Sequence, residues 1–154
     1  MDLFSELSKL VSVGLISGLI SSFLAYRSHR QKKWWELKVS SYQELIEALS
    51  DLSQYYSSHY QENLMKNDLS DDYKETLSNM WDEGHRNVRR AADKGAFIFS
   101  DEVEMALKKY IKCDDVRQDD YYDHIELHEK EVKTCLSSIV TASRVDLEIK
   151  WWWL

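Results

Sequence analysis

The sequence has no proline, only four glycines and two cysteines among 154 residues, and fewer basic than acidic side chains, 20 against 27. Each shortage excludes something. Without a glycine period or a high proline content the chain is neither collagen-like nor of low complexity, and two cysteines cannot staple a small secreted scaffold. So few glycines leave little for a phosphate-cradling loop, and no P-loop, GxGxxG or GxSxG motif occurs. A net charge of −7 argues against nucleic acid as a partner, which calls for a basic face or stripe. What is present is 44% hydrophobic and 12% aromatic residues, with six tryptophans, enough for one helical domain.

The charge is unevenly spread. Residues 1–33 hold five Lys/Arg and two Asp/Glu, leaving fifteen and twenty-five for residues 34–154, so the first segment stands at +3 and the rest at −10. Within the first segment, Leu10 to Tyr26 read LVSVGLISGLISSFLAY, seventeen positions without a charge. The apolar run extends backwards past Lys9 to Leu7, Phe4 and Leu3. At ~1.5 Å per residue, about twenty residues span ~30 Å, the thickness of a bilayer core. The pattern predicts a transmembrane helix over about 7–26, in an anchor segment covering 1–33. Arg27, His29, Arg30, Lys32 and Lys33 follow it directly, whereas only Asp2, Glu6 and Lys9 precede it. The positive-inside rule then puts the N-terminus outside and the remainder in the cytoplasm of an inner membrane. A cleaved signal is disfavoured, because the positive charge lies on the wrong side of the run. Other readings are a buried core helix and an amphipathic helix lying on the membrane. The second is weakened by serines scattered around the helix and by the lack of a charged face.

Gly14 and Gly18 form a GxxxG that Ser22 continues on the same face, a spacing that lets helix backbones approach closely in lipid and predicts a homo-oligomer. Ser17, Ser21 and Ala25 make a second ridge of small residues, so the pairing face is not fixed.

Residues 34–154 read as a cytoplasmic helical bundle. Trp35, Val39, Tyr42, Ile46, Leu49, Ser53, Tyr56 and Tyr60 alternate spacings of four and three, widened by Leu45 and Leu52. With no Gly or Pro after Tyr26, the span runs on into a first long helix ending near Asn63 to Asn67. A second helix is expected from a Ser70 cap to Lys94, with Gly95 as its stop and Ala96 to Phe99 as an apolar connection. Gly84 inside it implies close packing. Ser100 caps a third helix ending at Asp114 and Asp115, and the fourth runs from about Asp119 to the C-terminus. Its seam comprises Tyr121, Ile125, His128, Val132, Cys135, Ile139, Ala142 and Ile149. The expected fold is all-α, an N-terminal transmembrane helix continuing into an antiparallel bundle of about four helices. Antiparallel packing returns Trp151, Trp152 and Trp153 to the height of Trp34 and Trp35. These five tryptophans are expected to form a collar at the membrane surface, with Arg27, Arg30, Lys32 and Lys33 drawn to anionic lipid headgroups.

Chemistry-bearing constellations are thin. Asp120, His124 and His128 lie one turn apart on a ridge and are weak candidates for a metal, with Glu131 as a further ligand, but the spacing is not HExxH. His128 also falls on the apolar seam, where a core histidine is the ordinary case. Cys113 and Cys135 belong to no redox motif, and core packing accounts for Cys135. Arg86, Arg89, Arg90 and Lys94 near the end of the second helix complement its dipole or meet an acidic partner. No catalytic residue and no cofactor is indicated, and the chain reads as a non-enzyme.

The basic stretch with KKWWELKVSSYQELIEALSDL, followed later by AFIFSDEVEMALKKY, resembles small bacterial inner-membrane proteins with one N-terminal span and a cytoplasmic helical domain. The resemblance is one of pattern over most of the chain. It implies a bacterial or phage-related origin and brings no activity or catalytic residues. The expected function is that of a membrane-anchored, self-associating interaction or scaffolding protein with an unidentified cytoplasmic protein partner. The alternative is a membrane-perturbing effector or an immunity or exclusion component of a bacterial defence or phage system.

Overall fold

The computed structural model of the chain describes residues 3–65, 69–116 and 120–148, the side chains of residues 3–16, 63 and 96 excepted. These residues form four helices and no strand: α1 (Leu3–Met65), α2 (Asp71–Ile98), α3 (Asp101–Asp114) and α4 (Tyr121–Asp146). Helix α1 contains no proline, and from Leu19 to Met65 no glycine either, so nothing in the local chemistry breaks that part of the helix. The chain divides into two compact units, Met1–Leu37 and Lys38–Leu154.

The second unit is a bundle whose direction of packing is read from its cross-contacts. At one end, Tyr42 of α1 donates its hydroxyl proton to Asp146 of α4 and stacks edge-on against Phe99, which follows α2. Towards the other end, Lys74 of α2 pairs with Glu62 of α1 at 3.4 Å, and the Ser57 hydroxyl donates to Glu129 of α4 at 3.0 Å. Both α2 and α4 therefore run antiparallel to α1, as short connections between helices favour. The core is Tyr42, Leu45, Ala48, Leu49, Leu52 and Tyr56 of α1, Val88 of α2, Val103, Leu107 and Tyr110 of α3, and Ile125, Val132, Cys135, Ile139 and Ala142 of α4. Spacings of three and four carry each set to one side of its helix. Cys135 is core, its Sγ 3.7 Å from the Ala106 carbonyl, and burial pushes its thiol up to about 12.

Three local expectations change. Helix α2 does not stop at Gly95. It continues to Ile98, where the Phe99 N–H donates to the Gly95 carbonyl, and the extra turn delivers the Phe99 ring to Tyr42. Ser70 and Ser100 occupy N-cap positions without side-chain capping bonds; their carbonyls take the first backbone bonds instead. The buried positions of α2 include Leu77, Gly84 and Val88, while Tyr73 and Trp81 are partly exposed. Helix α4 ends at Asp146, and Ile149 and Trp151 to Trp153 lie outside the described residues.

Among the described residues no helix is long and apolar enough to cross a membrane. The structure thus bears out the helical part of the expected architecture and lends no support to the span at 7–26. Side chains 7–16, Gly14 among them, lie outside the described residues.

At Gly84, α2 lies close against α1. A Cβ there would stand 2.8 Å from Leu52 Cγ and 3.0 Å from the Ala48 carbonyl oxygen, a branch point and a backbone atom that have little room to yield. A Cβ on Gly95 would meet only Phe99 Cδ2, at 3.6 Å. The two alanine substitutions are therefore expected to act in opposite directions. Gly95→Ala gains up to ~1 kcal/mol from helix propensity. Gly84→Ala loses about 1–3 kcal/mol because overpacking outweighs the same gain. Urea denaturation of the full chain reads both signs, and stabilisation by Gly84→Ala would show that the contact is loose.

Candidate functional site

A group of polar side chains from three helices gathers around Asp114, the last residue of α3. A carboxylate at a helix C-terminus works against the helix dipole, and Asp115 adds a second. Helix α2 supplies the compensation. The Arg89 guanidinium donates to Asp114 at 3.1 Å and to Asp115 at 2.6 Å, and His85 Nε2 donates to Asp114 Oδ1 at 2.8 Å. The other ring nitrogen of His85 faces the Trp81 carbonyl at 3.1 Å, so both nitrogens lie against oxygen acceptors. Burial of Asp114 opposes its charge, but the hydrogen bond and charge of His85, with Arg89 and the field of His128, outweigh it. The carboxyl is held below its usual range.

His128 of α4 reaches the same carboxylate from the core. It is fully buried; Nδ1 donates to the His124 carbonyl at 2.8 Å. Its Nε2 has no hydrogen-bond partner among the described residues and lies 3.8 Å from Asp114 Oδ1. Aromatic rings close the surroundings: Tyr56 at 5.3 Å and His124 at 4.0 Å from His128, Trp81 at 4.3 Å from His85. The Trp81 indole donates to the Tyr56 hydroxyl at 3.4 Å. The His124 pKa is lowered by burial first and by His128 second.

Of the three metal candidates, the structure keeps His124 and His128 together and sends Asp120 elsewhere. Asp120 caps α4, its carboxylate accepting from the Tyr122 N–H at 2.8 Å, and Glu131 is taken by Lys109 at 2.9 Å. No group of three His, Cys, Asp or Glu among the described residues is arranged to hold a metal ion. No sequence pattern pairs His85 with Asp114, since they lie 29 residues apart on different helices. The one available signal was the pair of acids closing the third helix opposite a cluster of arginines. That cluster is not complementing its own helix end, because α2 has no basic residue in its last turn and Arg89 is turned onto the end of α3.

A second feature lies in the first unit. Phe23, Tyr26, Arg27, Arg30, Gln31, Lys33, Trp34 and Leu37 line an open groove along one side of α1. The Arg30 guanidinium carbon sits 5.9 Å from the centre of the Tyr26 ring, within cation–π range. Lys32, expected with the same basic group, turns away and lies 3.8 Å from Glu36. Trp34 and Trp35 are both partly exposed. Gly18 of the GxxxG has no atom within 4 Å of the place a Cβ would take, and Ser22 is exposed.

No protein-family model, curated protein or solved structure matches the chain.

The Asp114 cluster makes an acid-side prediction. A carboxyl whose native pKa is depressed contributes stability above its unfolded value, about pH 4, and that contribution is lost as pH falls through the lower native value. Asp114→Asn is expected to cost about 1–3 kcal/mol at neutral pH, by weakening charged hydrogen bonds to His85 and Arg89. It should also flatten the loss of stability of the full chain between about pH 5 and pH 3, a slope followed by denaturant titration at each pH. Equal slopes for the two proteins would remove Asp114 as its source.

Proposed function

We propose that the chain is a single-span, membrane-anchored helical scaffold that associates with itself and carries an interaction domain into the bacterial cytoplasm. The observation that carries this reading is the uncharged run Leu10 to Tyr26, bordered on one side only by Arg27, Arg30, Lys32 and Lys33. An apolar stretch of that length has few other uses in a chain whose remaining 121 residues, 34–154, stand at −10. The charge asymmetry favours an N-terminus outside and a cytoplasmic bundle.

Self-association rests on Gly14, Gly18 and Ser22, small residues at a spacing that lets a second span approach. The open space around Gly18 is compatible with it. The acidic bundle is the part that recruits a protein partner, and its carboxylates suit a basic surface. Trp34 and Trp35 follow the span where an interfacial aromatic belongs, with Trp151 to Trp153 as further contributors to the collar. This reading assigns the chain no catalytic residue.

The full chain is expected to remain in the membrane pellet after alkaline carbonate extraction, with Leu19→Arg released from it. A charge at mid-run costs about 2.5–3.5 kcal/mol of insertion free energy. Recovery of the unaltered chain in the carbonate supernatant would overturn the anchor. In a membrane-dimerisation assay, the Gly14→Ile, Gly18→Ile double variant is expected to lose association while still inserting. Undiminished association would move the contact to another face.

A further inference from the structure

We infer that one side of α1, just past the proposed span, is a seat for the headgroup of an anionic phospholipid, formed by Arg27, Arg30 and Lys33 with the Tyr26 ring. The inference rests on the membrane-anchored reading and goes beyond it, because it replaces a general attraction of basic residues to the surface with a site on a single helix face.

The argument begins with how α1 distributes its charges. At about 100° per residue, Arg27, Arg30 and Lys33 follow one another round a third of the helix over a rise of about 9 Å. All three line the groove, and none has an ion-pair partner among the described residues. Lys32 falls about half a turn away from the middle of the groove, where Glu36, the one acid between residues 17 and 37, lies beside it at 3.8 Å. The face thus carries three uncompensated cations, and the opposite side neutralises its own.

Three cations at this spacing call for an anion with several oxygen acceptors. Guanidinium forks suit the non-bridging oxygens of a phosphate, and Lys33 adds a point charge further out. The ring of Tyr26 under Arg30 holds that guanidinium near the helix surface without neutralising it. The apolar end of the groove separates a lipid from free phosphate or an acidic peptide. Phe23 and Tyr26 line it, and it leads without an intervening charge into Leu24, Ile20 and Leu19, all exposed and suited to acyl chains. A phosphate held at Arg27 and Arg30 therefore has its hydrocarbon on the side where the helix is apolar.

The test uses the full chain reconstituted in phosphatidylcholine bilayers, with spin-labelled phosphatidylglycerol or spin-labelled phosphatidylcholine as the probe. The readout is the fraction of motionally restricted label. The unaltered chain is expected to select phosphatidylglycerol several-fold. Arg27→Gln, Arg30→Gln and Lys33→Gln should each cut that selectivity by about half or more, whereas Lys32→Gln, an equal change in charge, leaves it intact. Equal losses for all four variants would overturn the seat in favour of undirected attraction. Absence of selectivity in a chain that resists carbonate extraction overturns the seat and leaves the anchor standing. A chain that carbonate extracts fails on both counts.

Discussion

The bundle depends on disposing of two negative charges at the wrong end of a short helix. Helix α3 has only 14 residues, and it closes on Asp114 and Asp115, where the dipole is already negative. On its own it would fray from that end. Arg89 and His85, projecting from α2, turn the defect into a tie between helices, and His128 brings α4 to the same carboxylate. An apolar core of leucines, valines and tyrosines gives the helices their affinity for one another but little sense of register. A half-buried charge that must meet two particular side chains supplies register, because a slip of one turn would strand Asp114 without its donors.

How much of this was legible in the sequence depends on whether the cause is local. The existence and order of the helices follow from spacing and from the lack of breakers, and within the expected α4 seam Ile125, His128, Val132, Cys135, Ile139 and Ala142 are buried, whereas Tyr121 at its start is exposed. Gly84 was flagged by its oddity in a helix, and the packing behind it is the near contact with Leu52 and the Ala48 carbonyl. The end of α2 was misplaced because glycine marks a stop only when it adopts a left-handed conformation, and Gly95 stays helical so that Phe99 can reach Tyr42. The polar cluster was not legible, since it joins residues from three helices whose relation only packing establishes. The ridge Asp120, His124, His128 looked like a unit because periodicity reports one helix at a time; Asp120 is used for capping and His128 looks towards α3.

The first unit shows how a helix can sort charge by angular position. Arg27, Arg30, Lys32 and Lys33 form one basic cluster in the sequence, yet helical geometry divides them three against one, and Glu36 reinforces the division from the opposite side. Net charge alone would treat these residues as interchangeable. Their angular positions make them distinct, and directional recognition on a single helix requires that distinction.

The link between Tyr42 and Asp146, assisted by Lys38 at 3.4 Å, joins residues 104 apart in the chain. Most other ties in the bundle connect neighbours along the sequence, whose loops close at small entropic cost. Contacts between α2 and α3, and between α3 and α4, can therefore be sampled early, whereas the seam between α1 and α4 must wait until the intervening helices have shortened the distance. Asp146, held by Tyr42 and Lys38, closes the longest loops among the described ties, so the first and last helices of the bundle are joined at the greatest entropic cost.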